Sequence, residues 1–317
     1  MKDTKHKILT LAALTTIAAG VIHLTNRVIV ASSQLKEMLD FSNHNYYNWR
    51  FGKIYYTKKG KGSPLLLIHD TMPGASGYEW SRVEDQLAQE HTVYTLDLLG
   101  CGRSEKAGIT YTNFLFVQII CDFIKNVIKE KTDIIASGFS CSFVTTAAAY
   151  DKESINKIMF INPVSMISLA QTTTKKDKLF KFFIELPIFG TFIYHIIVSR
   201  ETINDFFLDN LYYNPFHVDK DVLDAYYEAA HKGGYYAKCL YSSQSAKYMN
   251  INIRHAVESI DNSIYIVEGE DEPNGAAIVE AYQKVNPAIE SATISCSKHF
   301  PHIENAEAFL EQVGAFL

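Results

Sequence analysis

Asp133-Ile134-Ile135-Ala136-Ser137-Gly138-Phe139-Ser140-Cys141-Ser142-Phe143 is the stretch that decides how this 317-residue chain folds. An apolar strand turns within a few residues into an alanine-rich helix running from Phe143 to Tyr150. So tight a junction pushes a side chain out of the backbone towards a neighbouring base, and a serine hydroxyl needs such a base before it can attack anything. Small residues two before and two after the serine let strand and helix pass closely. Gly138 and Ser142 fill those places around Ser140, although the second is glycine in the G-x-S-x-G elbow. The competing reading is a serine in an ordinary strand-to-helix loop.

On either side of this junction the chain alternates between short apolar runs and helical periodicity. Lys53–Thr57, Leu65–His69 and Thr92–Leu98 read as strands, with a helical stretch around Ser81–Gln89. Leu65–His69 is a continuous apolar run, as in a strand buried on both faces of a parallel sheet. Phe116, Ile119, Ile120, Phe123 and Val127 recur at helical spacing. The strand Lys157–Asn162 follows, the rhythm stops for about 100 residues, and it resumes with the strand Ile264–Val267. The helix Ala276–Val285, the strand Ala292–Ser297 and a last helix capped by Asn305 complete the chain. This order predicts an α/β fold, a mostly parallel sheet with helices on both faces.

Composition narrows the function. With 47% hydrophobic and 21% charged residues the chain has ample material for one large core. A net charge of -5 excludes the basic face that a nucleic-acid partner needs. Five dispersed cysteines include no C-x-x-C pair, so neither a metal site nor a bound cofactor is expected. At the amino terminus Lys2, Lys5 and Lys7 precede the apolar run Ile8–Leu24, which is at the short end of lengths that cross a bilayer. The favoured reading is an uncleaved membrane anchor over residues 1–27 that places the rest of the chain outside the cytoplasm. A cleaved secretory signal is the alternative, although Ala18-Ala19-Gly20 falls inside the apolar run rather than after it. Residues 28–45 read as a tether, 46–163 and 251–317 as the core, and 164–250 as an insertion.

Four motifs then fall in one order. Leu65-Leu66-Leu67-Ile68-His69-Asp70 is similar to a strand ending in His-Gly. Asp97-Leu98-Leu99-Gly100-Cys101-Gly102-Arg103-Ser104 matches D-x-x-G-x-G-x-S, Gly138–Ser142 matches the serine elbow, and Ser297–Glu304 is similar to G-H-x-P-x-x-E. Together they resemble the α/β-hydrolase family from Tyr46 to Leu317, with residues 164–250 standing where that family inserts a helical cap. The resemblance implies Ser140 as nucleophile and His299 as general base. Its acid follows the strand Ile264–Val267, which selects Glu272 with Asp271 as the alternative. The oxyanion hole falls to the backbone N–H groups of Cys141 and Thr71, with Met72 as the alternative to Thr71. Asp70 departs from the pattern, because a carboxylate near an oxyanion opposes catalysis unless it points away or is paired.

The insertion is rich in Phe and Tyr, from Phe180 to Tyr236. Most of these must pack the cap itself and the remainder favours an apolar substrate, while Lys175, Lys176, Lys178 and Lys181 read equally as a membrane contact or a solvated face. The expected activity is therefore a serine hydrolase, esterase- or lipase-like, cleaving an apolar carboxylic ester through an acyl-enzyme. Other chemistry of the same triad (C–C hydrolysis, peroxidase-like or lyase) and a non-catalytic membrane-tethered binding protein are the alternatives. Nucleophilic aspartate chemistry is disfavoured here because position 140 is serine.

Overall fold

The computed structural model describes residues 2–39 and 45–317. Its centre is an eight-stranded sheet: β1 (Asn45–Trp49), β2 (Gly52–Lys59), β3 (Ser63–Ile68), β4 (His91–Leu96), β5 (Thr132–Ser137), β6 (Ile155–Ile161), β7 (Ile264–Gly269) and β8 (Glu290–Ile294). The spatial order is β1-β2-β4-β3-β5-β6-β7-β8. β2 runs antiparallel to β1 and β4, and every other pair is parallel. The α/β expectation and its mostly parallel sheet are therefore met. β1 is an addition, because a half-exposed edge strand of Asn, Tyr and Trp carries little apolar pattern.

The two faces of the sheet have separate cores. Leu66, Ile68, Ile134, Ala136 and Phe160 meet the helices Asn113–Phe123 and Cys141–Tyr150 on one side. Leu65, Leu67, Ile135 and Val267 meet Trp80 and the last helix, Ala306–Phe316, on the other. Neighbouring residues in each strand serve opposite faces, as the pleat requires. Several expected boundaries move: the helix read around Ser81–Gln89 is a single turn, Glu84–Leu87, β4 ends at Leu96 rather than Leu98, and Ser297 lies beyond β8.

The turn after β4 is held by a buried ion pair. Asp97 is fully buried and accepts from the Gly77 amide at 2.7 Å, the Arg103 amide at 2.7 Å and Arg103 Nε at 2.8 Å. Burial opposes its charge, but Arg103 overcomes this and holds the carboxyl at about 2. Gly102 has φ +43°, and a Cβ there would overlap Asp97, so only glycine fits the turn. Removing one member of a buried pair leaves the other charge uncompensated. Asp97→Ala should lower unfolding stability by about 3–5 kcal/mol, measured by urea denaturation. A loss below 1 kcal/mol would mean the pair is not structural.

Between β6 and β7, where the insertion is expected, the chain forms the helices Lys175–Glu185, Phe189–Ile197, Arg200–Phe206, Lys220–His231 and Lys238–Ser245. Tyr194, Phe207, Tyr212 and Tyr226 pack with Phe300 of the core segment. Phe182, Phe183 and Phe189 are exposed instead of lining a pocket at the sheet. Lys181, read with the charged face, is buried and pairs with Glu185.

At the amino terminus one helix runs Lys2–Ser33 and is long and apolar enough to cross a membrane over His6–Ser33, with none of its most apolar stretch buried. The segment expected as a tether from residue 28 is helical to Ser33, and residues 40–44 lie outside the described residues. Thr15 and Thr16 keep that helix apolar on its outside by returning their hydroxyls to Leu11 O and Ala12 O.

Candidate active site

Four strands deliver side chains to the carboxyl edge of the sheet, where α/β folds bind ligands. Asp70 follows β3, Gly138 follows β5, Glu272 follows β7 and His299 follows β8. The imidazole of His299 lies between two carboxylates. Its Nδ1 is 3.2 and 3.3 Å from the Glu272 oxygens, and its Nε2 is 3.4 Å from Asp70 Oδ2. The three side chains are 9–17% exposed, so the cluster is shielded but not sealed. Burial opposes charge on the ring. Hydrogen bonds and charges from Asp70 and Glu272 outweigh it and lift His299 to about 10, so the ring is an imidazolium at neutral pH.

That shift has a sign in stability. A free imidazole titrates near ~6.5, so the folded chain holds this proton more tightly than the unfolded one. The stabilisation is complete below about pH 6.5 and is lost as pH rises, ending through the folded value of about 10.

Ser140 does not meet this cluster. Its side chain is fully buried and its hydroxyl donates to His69 O at 2.6 Å. The expected contact with His299 is replaced by Asp70. The backbone gives the reason: Ser140 has φ -65° and ψ -20°, ordinary helical values. The left-handed residue that follows β5 is Gly138, at φ +56°. A Cβ built on Gly138 would lie within 2.7 Å of Asp70 Cγ, Oδ1 and Oδ2. A side chain at position 138 would thus enter the space that the Asp70 carboxyl group fills, facing His299. The turn of the elbow sits two residues upstream of the sequence expectation, and its small-residue frame is Ala136, Gly138 and Ser140.

The amides shift with it. Cys141 N–H, expected in the oxyanion hole, is spent on the carbonyls of Gly138 and Phe139 at the start of the helix. The amide that follows the true turn belongs to Phe139, and it donates to Asp70 Oδ1 at 2.9 Å. Thr71 N–H donates to the same oxygen at 2.6 Å. Two amides from two loops therefore converge on one carboxylate oxygen, and the other oxygen faces the imidazolium. Asp271 is exposed and its amide donates to Ser297 O at 3.0 Å, while Glu272 is the carboxylate on His299.

Beneath Asp70 lies a group that sequence reading missed. Glu79 is fully buried; its Oε2 accepts from the Asp70 amide at 3.2 Å, and its Oε1 is 3.4 Å from Nε2 of the buried His302. His302 stacks on Trp80 with ring centres 4.7 Å apart. His69 Nε2 accepts from the Leu98 amide at 3.0 Å and its Nδ1 donates to Asp70 O, which ties the end of β3 to the turn after β4. No group of three or more potential ligands fit to hold a metal occurs among the described residues.

A model of the Alpha/beta hydrolase family matches residues 65–312. The chain is 28% identical over 114 residues to the 2-hydroxy-6-oxo-6-(2'-aminophenyl)hexa-2,4-dienoic acid hydrolase of Metapseudomonas resinovorans, covering 35% of this chain and 39% of that protein. It is 29% identical over 109 residues to a soluble epoxide hydrolase of Corynebacterium sp. (strain C12), covering 34% and 37%. The chain thus spans about two fifths of the length of these curated relatives. Among solved structures, a membrane phospholipase A superposes with a TM-score of 0.68 at 17% identity, covering 98% of this chain and 97% of that one. The family model over residues 65–312, with a sheet order in keeping with it, places the chain in the alpha/beta hydrolase family.

Proposed function

We propose that this protein hydrolyses an epoxide on an apolar molecule, with Asp70 rather than a serine as the nucleophile. The observation that carries the reading is the Asp70 carboxylate itself, with Oδ1 on the Thr71 and Phe139 amides and Oδ2 towards His299 Nε2. Carboxylates serve as covalent nucleophiles, and this one has one oxygen held by two amides and the other directed towards the imidazolium that would protonate the leaving oxygen. Attack on an ester carbonyl is a poor use of it, because the product is an anhydride and an alkoxide must leave. Attack on the saturated carbon of a strained ether needs no such leaving group.

The protons balance around His299. Asp70 Oδ2 forms a bond to an epoxide carbon, the carbon–oxygen bond of the ring breaks, and the ring oxygen takes the proton of the His299 imidazolium. Asp70 is now a neutral ester, so one of the two carboxylates that raised His299 has lost its charge, and its affinity for a proton falls. The neutral ring, oriented by Glu272, takes a proton from water as that water attacks the ester carbonyl. The two amides hold the oxyanion. Collapse expels the diol as an alkoxide, which takes the proton of the new carboxylic acid, and Asp70 carboxylate and His299 imidazolium are restored. A relative named as a soluble epoxide hydrolase is consistent with this class of electrophile.

Single turnover in H2-18O tests the covalent step. With excess enzyme and a long-chain terminal epoxide, the first diol should carry ordinary oxygen from Asp70, and 18O should appear in the Asp70 peptide by mass spectrometry. An 18O-labelled diol in the first turnover, or no diol, defeats the proposal. A second reading, cleavage of an apolar carboxylic ester by Ser140, is favoured by the collinear motif order. It requires the Ser140 hydroxyl to leave His69 O, and it predicts labelling of Ser140 by a fluorophosphonate.

The pH profile separates the two readings by sign. The Asp70 route starts from the imidazolium, so kcat/KM should fall on the alkaline side with a midpoint near the His299 value of about 10. A serine route starts from the neutral ring, so kcat/KM should climb through the same range. We also propose that the apolar amino-terminal helix anchors the protein with its hydrolase domain outside the cytoplasm. Protease treatment of intact cells should then remove the domain.

A further inference from the structure

An apolar cavity lies between the amino-terminal helix and the cap, and none of Asp70, Gly138, Glu272 and His299 lines it. It has a volume of about 520 Å³, and Asn26, Arg27 and Val30 of the helix face Ile188, His195 and Tyr235 across it. That volume falls within the range of small-molecule sites, roughly 300–1,000 Å³. The helix is tied to the cap there by a hydrogen bond from Asn26 Nδ2 to Ile188 O at 3.0 Å.

Two residues that line it hold buried polar atoms with no partner among the described residues. His195 is 2% exposed and neither ring nitrogen has a hydrogen-bond partner among the described residues. Asn26 is 6% exposed and its Oδ1 is likewise unpaired. Buried polar atoms left unsatisfied cost stability, so a pair of them in one apolar cavity points to a ligand that brings its own polar end. Arg27 is exposed and adds a cation to the same wall. His195 stacks on His231 with ring centres 4.9 Å apart. Burial, with the nearby His231 and Lys238, depresses it to about 4, so its ring is neutral at pH 7 and offers one N–H and one acceptor.

The same helix has exposed apolar residues beside the cavity, with Val21, Leu24 and Val28 each more than half exposed. We propose that it binds a single-chain amphiphile with an ionised carboxylate, a long-chain fatty acid. The alkyl chain fills the space between helix and cap, and the carboxylate pairs with Arg27 beside Asn26 and His195. This site uses none of the residues at the ends of β3, β5, β7 and β8, and it stands whether or not Asp70 is the nucleophile.

The test uses the full chain in phosphatidylcholine nanodiscs with palmitic acid carrying a mid-chain diazirine. After irradiation, mass spectrometry should find the label on segments 23–31 and 187–195. Val30→Trp, which fills the cavity from the exposed helix, should cut that labelling about tenfold, and Arg27→Gln by a similar factor, the size expected for ~1.4 kcal/mol. Unlabelled palmitate should compete and hexadecanol should not. Three results each overturn the proposal: label spread along Ile8–Leu24 and indifferent to both variants, equal competition by the alcohol, and no label on the cap.

Discussion

Asp70→Asn should abolish epoxide hydrolysis, while Ser140→Ala should leave it within about threefold of wild type. An amide is nearly isosteric with the carboxylate, so the hydrogen bonds from Thr71 and Phe139 to Oδ1 have an acceptor of the same shape. What is lost is the negative oxygen that forms the bond to carbon, and removing a covalent nucleophile costs on the order of 10⁶-fold in kcat. The same change removes a charge beside His299, so its titration, followed by NMR of the ring Cε1 proton, should move down from about 10. Ser140→Ala removes only the bond to His69 O and leaves a buried carbonyl short of one donor. That costs about 1–2 kcal/mol of stability and touches no reacting atom. Steady-state diol formation by the two variants decides the matter. Full activity in Asp70→Asn, or its loss in Ser140→Ala with an intact fold, would return the nucleophile to Ser140.

The fold was legible because it is written in period and order. The continuous apolar runs at Leu65–Ile68 and Ile134–Ala136 are buried on both faces of the sheet, and strands alternating with helices admit few topologies. The contact between Glu272 and His299 was legible too, since each sits at a fixed offset from a glycine or a proline in its own loop. The elbow was not, because Gly138–Ser142 and Ala136–Ser140 both present small residues at alternate positions. Only the backbone tells which one carries the left-handed turn, and φ is positive at Gly138. One signal was present in the letters. The chain has an acid at position 70, where the pattern it resembles has glycine, and a glycine at 138. The two departures are complementary, since a side chain removed from one loop makes room for one added to the other. Glu79 carried no signal at all: a glutamate in a loop reads as solvated until the fold closes over it.

That complementarity makes Gly138 and Asp70 a coupled pair, and it predicts a reversal. Gly138→Ser alone should be damaging. Its Cβ would collide with the Asp70 carboxyl group and its backbone would keep φ near +56°, a conformation that costs a non-glycine residue about 1–3 kcal/mol. Asp70 would be forced off the two amides, and diol formation should fall by at least ~100-fold, the usual penalty for losing oxyanion-type donors. Adding Asp70→Gly changes the sign of the effect. The second substitution empties the space in front of His299, frees the Thr71 and Phe139 amides, and leaves Glu272 as the one carboxylate on the ring. His299 should then titrate well below about 10 and be able to act as a general base at neutral pH. The introduced hydroxyl stands at the turn of the strand-to-helix junction, with a base in front of it and two donors beside it, which are the requirements of an activated serine. The D70G/G138S double variant should therefore react with a fluorophosphonate while wild type, D70G and G138S alone do not. Labelling of wild type at Ser140, or a folded double variant that stays unlabelled, would show that position 138 is not the elbow.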